Sequence, residues 1–239
     1  MRTRRTVGLI LVGCVLTTLG LVACLVALLG PARGAIVAAV TAAVVFVVYR
    51  TIVAPWHRRW GATFSEVSAV MPGDEILRSE APSTTRAVTI EATPHDVFPW
   101  LVQLGYGRGG WYSYDWIDND GRSSAGSIDP SLQDLAVGDR IEMMPGFGPV
   151  VRAIEPDRHI VCGGEADSWC LLLEPTSDGG TRLISRWRQD WPKSLGTYVW
   201  IAIVDPGAFL MEQKMLRTIR DLAQGSGSTQ VTDAGERRA

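Results

Sequence analysis

With 239 residues, 46% hydrophobic and 20% charged, the chain is long enough for one ordinary domain and an additional segment. A net charge of −2 leaves no overall basic field for nucleic acid. The four cysteines contain no C-x-x-C pair, so zinc and thioredoxin-type chemistry have no support.

Val7 to Leu29 is an uncharged apolar run of about 23 residues, enough to span a bilayer core. Gly30-Pro31-Ala32-Arg33-Gly34 is a turn signature. Ala35 to Val53 is apolar again, a weaker span of roughly 19 residues if Arg50 snorkels to the interface. Residues 1–60 therefore read as a two-helix transmembrane hairpin, with spans about 7–29 and 35–53. Arg2, Arg4 and Arg5 precede the first span, and Arg50, Arg58 and Arg59 follow the second. The positive-inside rule then puts both ends, and the soluble domain, in the cytoplasm. Trp56 and Trp60 suit an interfacial anchor. A cleaved signal peptide fits less well, because the run is long and a second one follows. Leu21-Val22-Ala23-Cys24 resembles a bacterial lipoprotein cleavage site, yet the chain stays apolar to Leu29.

Residues 61–82 are mixed and polar, with a turn at Pro72-Gly73-Asp74, and read as a linker. A strand is expected over Thr84 to Glu91. Thr93-Pro94-His95-Asp96 opens a helix by N-cap, first-position proline and dipole complement. Val97, Trp100, Leu101 and Leu104 form its buried stripe, Pro99 should kink it and Gly105 ends it. Strands follow over Arg140–Met144, Pro149–Ile154, His159–Cys162, Trp169–Glu174 and Arg182–Trp191. In the last of these, Leu183, Ser185, Trp187 and Trp191 share one face. Arg182, Ile184, Arg186 and Arg188 share the other, which reads first as solvated. Tyr198 to Val204 fits a buried strand, a helix or a surface touching the membrane. Asp205-Pro206 is expected to open the last helix, with Ala208, Met211, Met215, Ile219 and Leu222 at helical spacing and Gly225 as its stop. Residues 224–239 read as a disordered tail.

Between the first helix and the strands lies the densest aromatic stretch: Trp111, Tyr112, Tyr114 and Trp116 within six residues. It either plugs a core or lines a pocket. Gly105, Gly107 and Gly110 match G-x-G-x-x-G. A dinucleotide site needs a strand before and a helix after, whereas here a helix precedes and aromatics follow, so the glycines read as a tight turn. Asp118, Asp120 and Gly121 resemble part of a calcium loop, but Trp116 and Ser127 occupy its two anchoring positions. His57, His95 and His159 are scattered, with no metal set or triad. No metal or cofactor is expected.

The order strand, helix, antiparallel strands and long C-terminal helix is α+β. Three segments, Thr93 to Gly105, Gly109 to Trp116 and Asp205 to Leu216, resemble bacterial membrane-tethered members of the START-like, polyketide-cyclase-like (SRPBCC) superfamily. The resemblance covers roughly Thr84 to Ala223, and the expected domain spans residues 83–223. It implies a helix-grip fold, in which a curved sheet wraps the C-terminal helix around an apolar cavity that holds lipids, sterols, polyketides or similar molecules. No catalytic motif carries over.

The expected function is binding of a hydrophobic small molecule (lipid, quinone or polyketide-like) by a protein of the cell membrane. Arg108, Trp111, Tyr112, Tyr114, Trp116, Trp187, Met211 and Met215 are the candidate ligand contacts. Met211 and Met215 read more often as plain core than as cavity lining, and the helix-grip resemblance raises the cavity share. Two alternatives stand beside it. One is a cyclase or dehydratase with Tyr112, Tyr114 or Asp115 in acid/base roles. The other is a non-catalytic interaction module whose core is filled by tryptophans.

Overall fold

The computed structural model describes residues 2–77, 81–192 and 194–236. The chain divides into two compact units, Met1–His57 and Arg58–Ala239.

In the first unit, helix α1 (Arg2–Leu29) packs on helix α2 (Pro31–Val48). Gly30 takes φ 81° between them and Pro31 starts α2 at a position that needs no amide donor. A wide π-type turn over Tyr49–Val53 leads into α3 (Ala54–Arg58). Leu16, Leu21, Ile36, Val40, Phe46 and Ile52 are all exposed. The helical stretch Pro31–Arg58 is long and apolar enough to cross a membrane. Helix α1 covers the first apolar run and, among the described residues, carries the apolar stretch Leu16–Leu29.

The second unit is α+β. Five antiparallel strands form one open sheet: β1 (Ser83–Ile90), β2 (Val150–Glu155), β3 (His159–Gly163), β4 (Asp167–Pro175) and β5 (Thr181–Gln189), in the order β1-β5-β4-β3-β2. The β4–β5 turn closes at Gly179, φ 86°, where Thr176 N–H donates to Gly180 O. Both faces of the sheet are covered. Val88, Ile90, Trp169, Leu171, Leu173 and Leu183 belong to the main core with α5 (Pro94–Val102) and α7 (Leu195–Glu236). Ala87, Val161, Cys170, Leu172 and Ile184 form a second core with Met71. Burial on two faces explains why β4 is apolar almost without alternation. Each such side chain contributes about 1.5–3 kcal/mol by leaving water.

Several expectations are corrected. Residues 63–77 are a packed layer rather than a linker. Helix α4 (Phe64–Ser68) carries a capping box between Thr63 and Glu66, and Met71 is buried against the sheet. The arginine face of β5 holds this layer and is not solvated. Arg186 is buried, donating to Thr85 Oγ1 (3.1 Å), Ala69 O (2.7 Å), Asp74 Oδ2 (2.8 Å) and Glu66 O (2.5 Å). Arg182 pairs with Glu66 at 2.7 Å. Arg140–Met144 makes isolated bridges instead of a strand, because the glycine-rich run Pro145 to Gly148 folds it straight back: Met143 N–H donates to Phe147 O at 2.8 Å. Neither Asp205-Pro206 nor Gly225 bounds the last helix. Pro206 lies inside α7, and Gly225 does not take the left-handed conformation that ends helices. Tyr198–Val204 is thus helical, and α7 continues through much of the expected tail, to Glu236.

Candidate functional site

Alternation along β1 puts Arg86 on the same face as Val88 and Ile90, toward the main core. The stripe of α7 that buries Met215, Leu216, Ile219 and Ala223 begins one turn earlier, at Glu212. The two charges meet there as an ion pair between Arg86 Nη1 and Glu212 Oε2, with the arginine side chain only 2% exposed. Ser185 Oγ on β5 donates to Glu212 Oε1 at 2.6 Å, and Trp169 Nε1 on β4 donates to Ser185 Oγ at 3.0 Å. The Arg86 guanidinium also lies 5.3 Å from the centre of the Phe209 ring. One continuous polar chain therefore crosses from α7 to three strands through an apolar interior.

Trp169 is also the middle of an aromatic ladder. Its ring centre is 5.9 Å from Trp111 and 5.3 Å from Trp187. Trp111 is anchored by donation from Nε1 to Glu142 O (3.1 Å). Trp187 is half-buried, and its Nε1 makes no hydrogen bond within the described residues. Of the expected ligand contacts, Trp111, Trp187 and Met215 are thus brought into one core. Met211 is half-buried beside it in sequence.

The others go elsewhere. Gly105, Gly107 and Gly110 all have positive φ, as a tight turn requires. At Gly110, φ 86°, a side chain would also meet Ser124 Oγ at 2.4 Å. Tyr112 is fully buried at φ 53°, its hydroxyl accepting from Gln103 Nε2 (2.5 Å) and its ring edge-on to Trp100. Asp115 accepts from Ser124 Oγ (2.6 Å) and Ser124 N–H (3.1 Å). Arg108 donates to Leu132 O at 2.7 Å. Tyr114 lies under Lys214 Nζ, 5.5 Å from its ring centre, and Trp116 is 56% exposed. The polar groups of Tyr112, Asp115 and Arg108 thus hold the loop together.

Asp118 of the short helix α6 (Asp115–Asp118) is buried, and neither carboxylate oxygen makes a hydrogen bond of normal geometry. Burial, then the charge of Asp115, raises its pKa to about 6, while Ser113 and nearby backbone groups offset part of that rise.

Sequence reasoning passed over Arg86, Trp169, Ser185 and Glu212. Two signals were available: an arginine in phase with Val88 and Ile90, and a glutamate in phase with Met215 and Ile219.

The surface of the described residues carries depressions. One of about 360 Å³ lies beside Trp191, Pro192, Gly196 and Thr197. Another of about 920 Å³ lies between His95, Asp157, Arg158 and Val70. Neither is lined by the tryptophan ladder or Glu212.

Comparison with protein-family models gives no match, and comparison with curated proteins gives none. Solved structures do match. The Polyketide_cyc-like protein Cgl2372 from Corynebacterium glutamicum is 16% identical over 63% of this chain and 91% of its own, with a TM-score of 0.30. The Staphylococcus aureus protein of unknown function SA2116 is 17% identical over 63% and 98%, with a TM-score of 0.35. Protein MLL2253 from Mesorhizobium loti is 16% identical over 59% and 96%, with a TM-score of 0.34. A polyketide-cyclase-like protein is thus among the solved structures this chain is similar to.

Proposed function

We propose that the chain is a membrane-tethered START-like domain of the helix-grip type. It binds an apolar small molecule with a neutral hydrogen-bonding end between the sheet and α7, on the cytoplasmic side of a two-span hairpin. The observation that carries this is the Arg86–Glu212 pair inside the main core, beside the open Nε1 donor of Trp187. A buried ion pair adds little stability over apolar residues of the same volume. Its position on the face that the fold class uses for ligands therefore favours a role in recognition. The pair is internally neutral, so it suits a carbonyl or hydroxyl better than a charged head. Trp187, half-buried at the end of the ladder, is the side chain whose movement would admit the ligand.

A second reading is favoured by the ladder itself. Trp111, Trp169 and Trp187 in succession fill the interior, as a non-catalytic interaction module would require.

Native mass spectrometry of the full chain, released from bilayer discs of its host's lipids, separates the two. A discrete added mass that is lost on Trp187→Ala supports the binding site. A bare chain that also takes up no hydrophobic fluorescent probe would leave the filled module standing.

A further inference from the structure

Residues 58–62 open the second unit and are fastened where β1 meets α7. Arg58 donates to Asp205 Oδ2 through Nε at 3.2 Å and Nη2 at 3.0 Å. β1 is an edge strand, and its Ala87 N–H donates to Trp60 O at 3.1 Å. Gly61 follows at φ 73°, and a side chain there would run into Ala87 O. Only glycine lets the chain lie this close to the strand. Arg182 Nη2 donates to Gly61 O at 2.5 Å and completes the fastening.

The Trp60 side chain is thereby half-buried against α7. Its ring stands edge-on to Phe209, centre to centre 6.3 Å, within the range of a favourable aromatic pair. Phe209 in turn has the Arg86 guanidinium 5.3 Å from its ring centre. Trp60 itself carries the exposed Arg217, whose guanidinium is 5.0 Å from the ring centre. Asp205, Phe209 and Glu212 stand at i, i+4 and i+7. One stripe of α7 therefore holds the fastening, the ring and the carboxylate that pairs with Arg86. The succession Arg217, Trp60, Phe209, Arg86 runs from solvent to the buried ion pair.

A guanidinium out of water is held in place by what packs on it. Glu212 fixes Arg86 by charge, and the Phe209 ring offers its negative face to the same cation. Trp60 belongs neither to the sheet nor to α7, and it limits where the Phe209 ring can turn. We propose that Trp60 is a positioning residue of the ligand site. Through Phe209 it holds the Arg86 guanidinium where it meets the carbonyl or hydroxyl oxygen of an apolar ligand. Residues 58–62 are thus part of the binding machinery and not a spacer. The inference rests on the ligand-binding reading above, and the experiment below separates failure of one from failure of the other.

The full chain in bilayer discs is titrated with a decyl-substituted benzophenone, a neutral apolar ketone, then irradiated, digested and mapped by mass spectrometry. Adducts on β1, β5 and 209–219 report the site, and the concentration that half-saturates them is compared between variants. Trp60→Leu is expected to raise that concentration about five- to tenfold, the worth of one ring or cation–π contact. Trp60→Phe is expected to restore it to within about twofold, since a ring again faces Phe209. Leu222→Ala thins the same core further along α7 and serves as the control for stability. Read at the same fraction folded, it is expected to leave the concentration unchanged. Where Trp60→Leu does not fold, Arg217→Gln is read in its place, with a rise of about two- to threefold expected from loss of the outermost cation. Equal half-saturation in the wild-type chain and the variant read overturns the positioning role and leaves the ligand site intact. An equal rise in that variant and Leu222→Ala makes Trp60 a core residue only and overturns it likewise. No adducts between sheet and α7 in the wild-type chain overturn the ligand site and this inference together.

Discussion

Arg86 on β1 and Glu212 on α7 are 126 positions apart and close on each other inside the main core, where Ser185 Oγ donates to Glu212 Oε1 and itself accepts from Trp169 Nε1. Removing one charge leaves the other buried and unpaired. Arg86→Met or Glu212→Leu alone is expected to destabilise by about 3–5 kcal/mol. The double variant should recover most of that loss. Urea unfolding of the four chains measures it. If the double variant is as unstable as the worse single one, the coupling inferred from the pairing is wrong. Under the proposed function, the double variant also folds but no longer retains ligand.

Arg186 fastens residues 63–77 to the outer face of the sheet. Arg186→Met keeps the aliphatic bulk but removes the donors from five acceptors, two of them side-chain oxygens. A loss of about 3 kcal/mol or more is expected, since buried acceptors are left unpaired. Limited proteolysis should show faster cutting within 63–77 before the rest of the domain. An unchanged cleavage pattern would mean that Met71 and the capping box hold the layer by themselves.

Asp118 predicts a pH dependence of defined sign. Its pKa is raised from an ordinary 3.8 to about 6 by burial first and Asp115 second. A folded-state pKa above the unfolded one means the folded chain binds the extra proton. The associated stability is fully present below about pH 4 and is lost as pH rises through about 6. At pH 7.5 the ionised carboxylate opposes folding, so Asp118→Asn should stabilise by on the order of 1 kcal/mol. The gain should shrink at pH 5. Thermal melts of both chains at the two pH values test this, and a gain of equal size at both would rule out titration as its origin.

Cys162 and Cys170 sit on adjacent strands but face opposite cores, one with Trp169 and Leu171, the other with Met71 and Ile184. Burial pushes both thiols up to about 12. Neither is expected to react with iodoacetamide at pH 8 until the domain unfolds, and no disulfide should form between them under oxidant. Peptide mapping after labelling settles it: fast alkylation of either one in the folded chain would contradict the packing.

Gly110 accepts no side chain without moving Ser124, which holds Asp115. Gly110→Ala is expected to cost about 2 kcal/mol or more, from its positive φ and the close approach. Near-ultraviolet circular dichroism should register the change through Trp111 and Tyr112. An unaltered spectrum with unaltered stability would show that the loop tolerates a shift.

Local chemistry was legible in the sequence where it depends on neighbours along the chain. Thr93-Pro94 starts α5 because an N-cap and a first-position proline act within one turn, and the apolar run Ala35 to Val53 reads as a helix from its composition. The strand pattern of β1 and β5, and the glycine turn at 105–110, follow from period-two alternation and positive φ. What sequence alone could not decide depends on residues far apart. The arginine face of β5 reads as solvent-facing until residues 63–77 fold over it. The aromatic run reads evenly as pocket or plug until Trp169 stacks between Trp111 and Trp187. Asp205-Pro206 reads as a helix start because those signals are local. Only tertiary packing, which pins Asp205 to Arg58 and buries Phe209, decides that the helix runs through them. Arg86 and Glu212 each break an apolar stripe for no local reason, and the reason is the other residue.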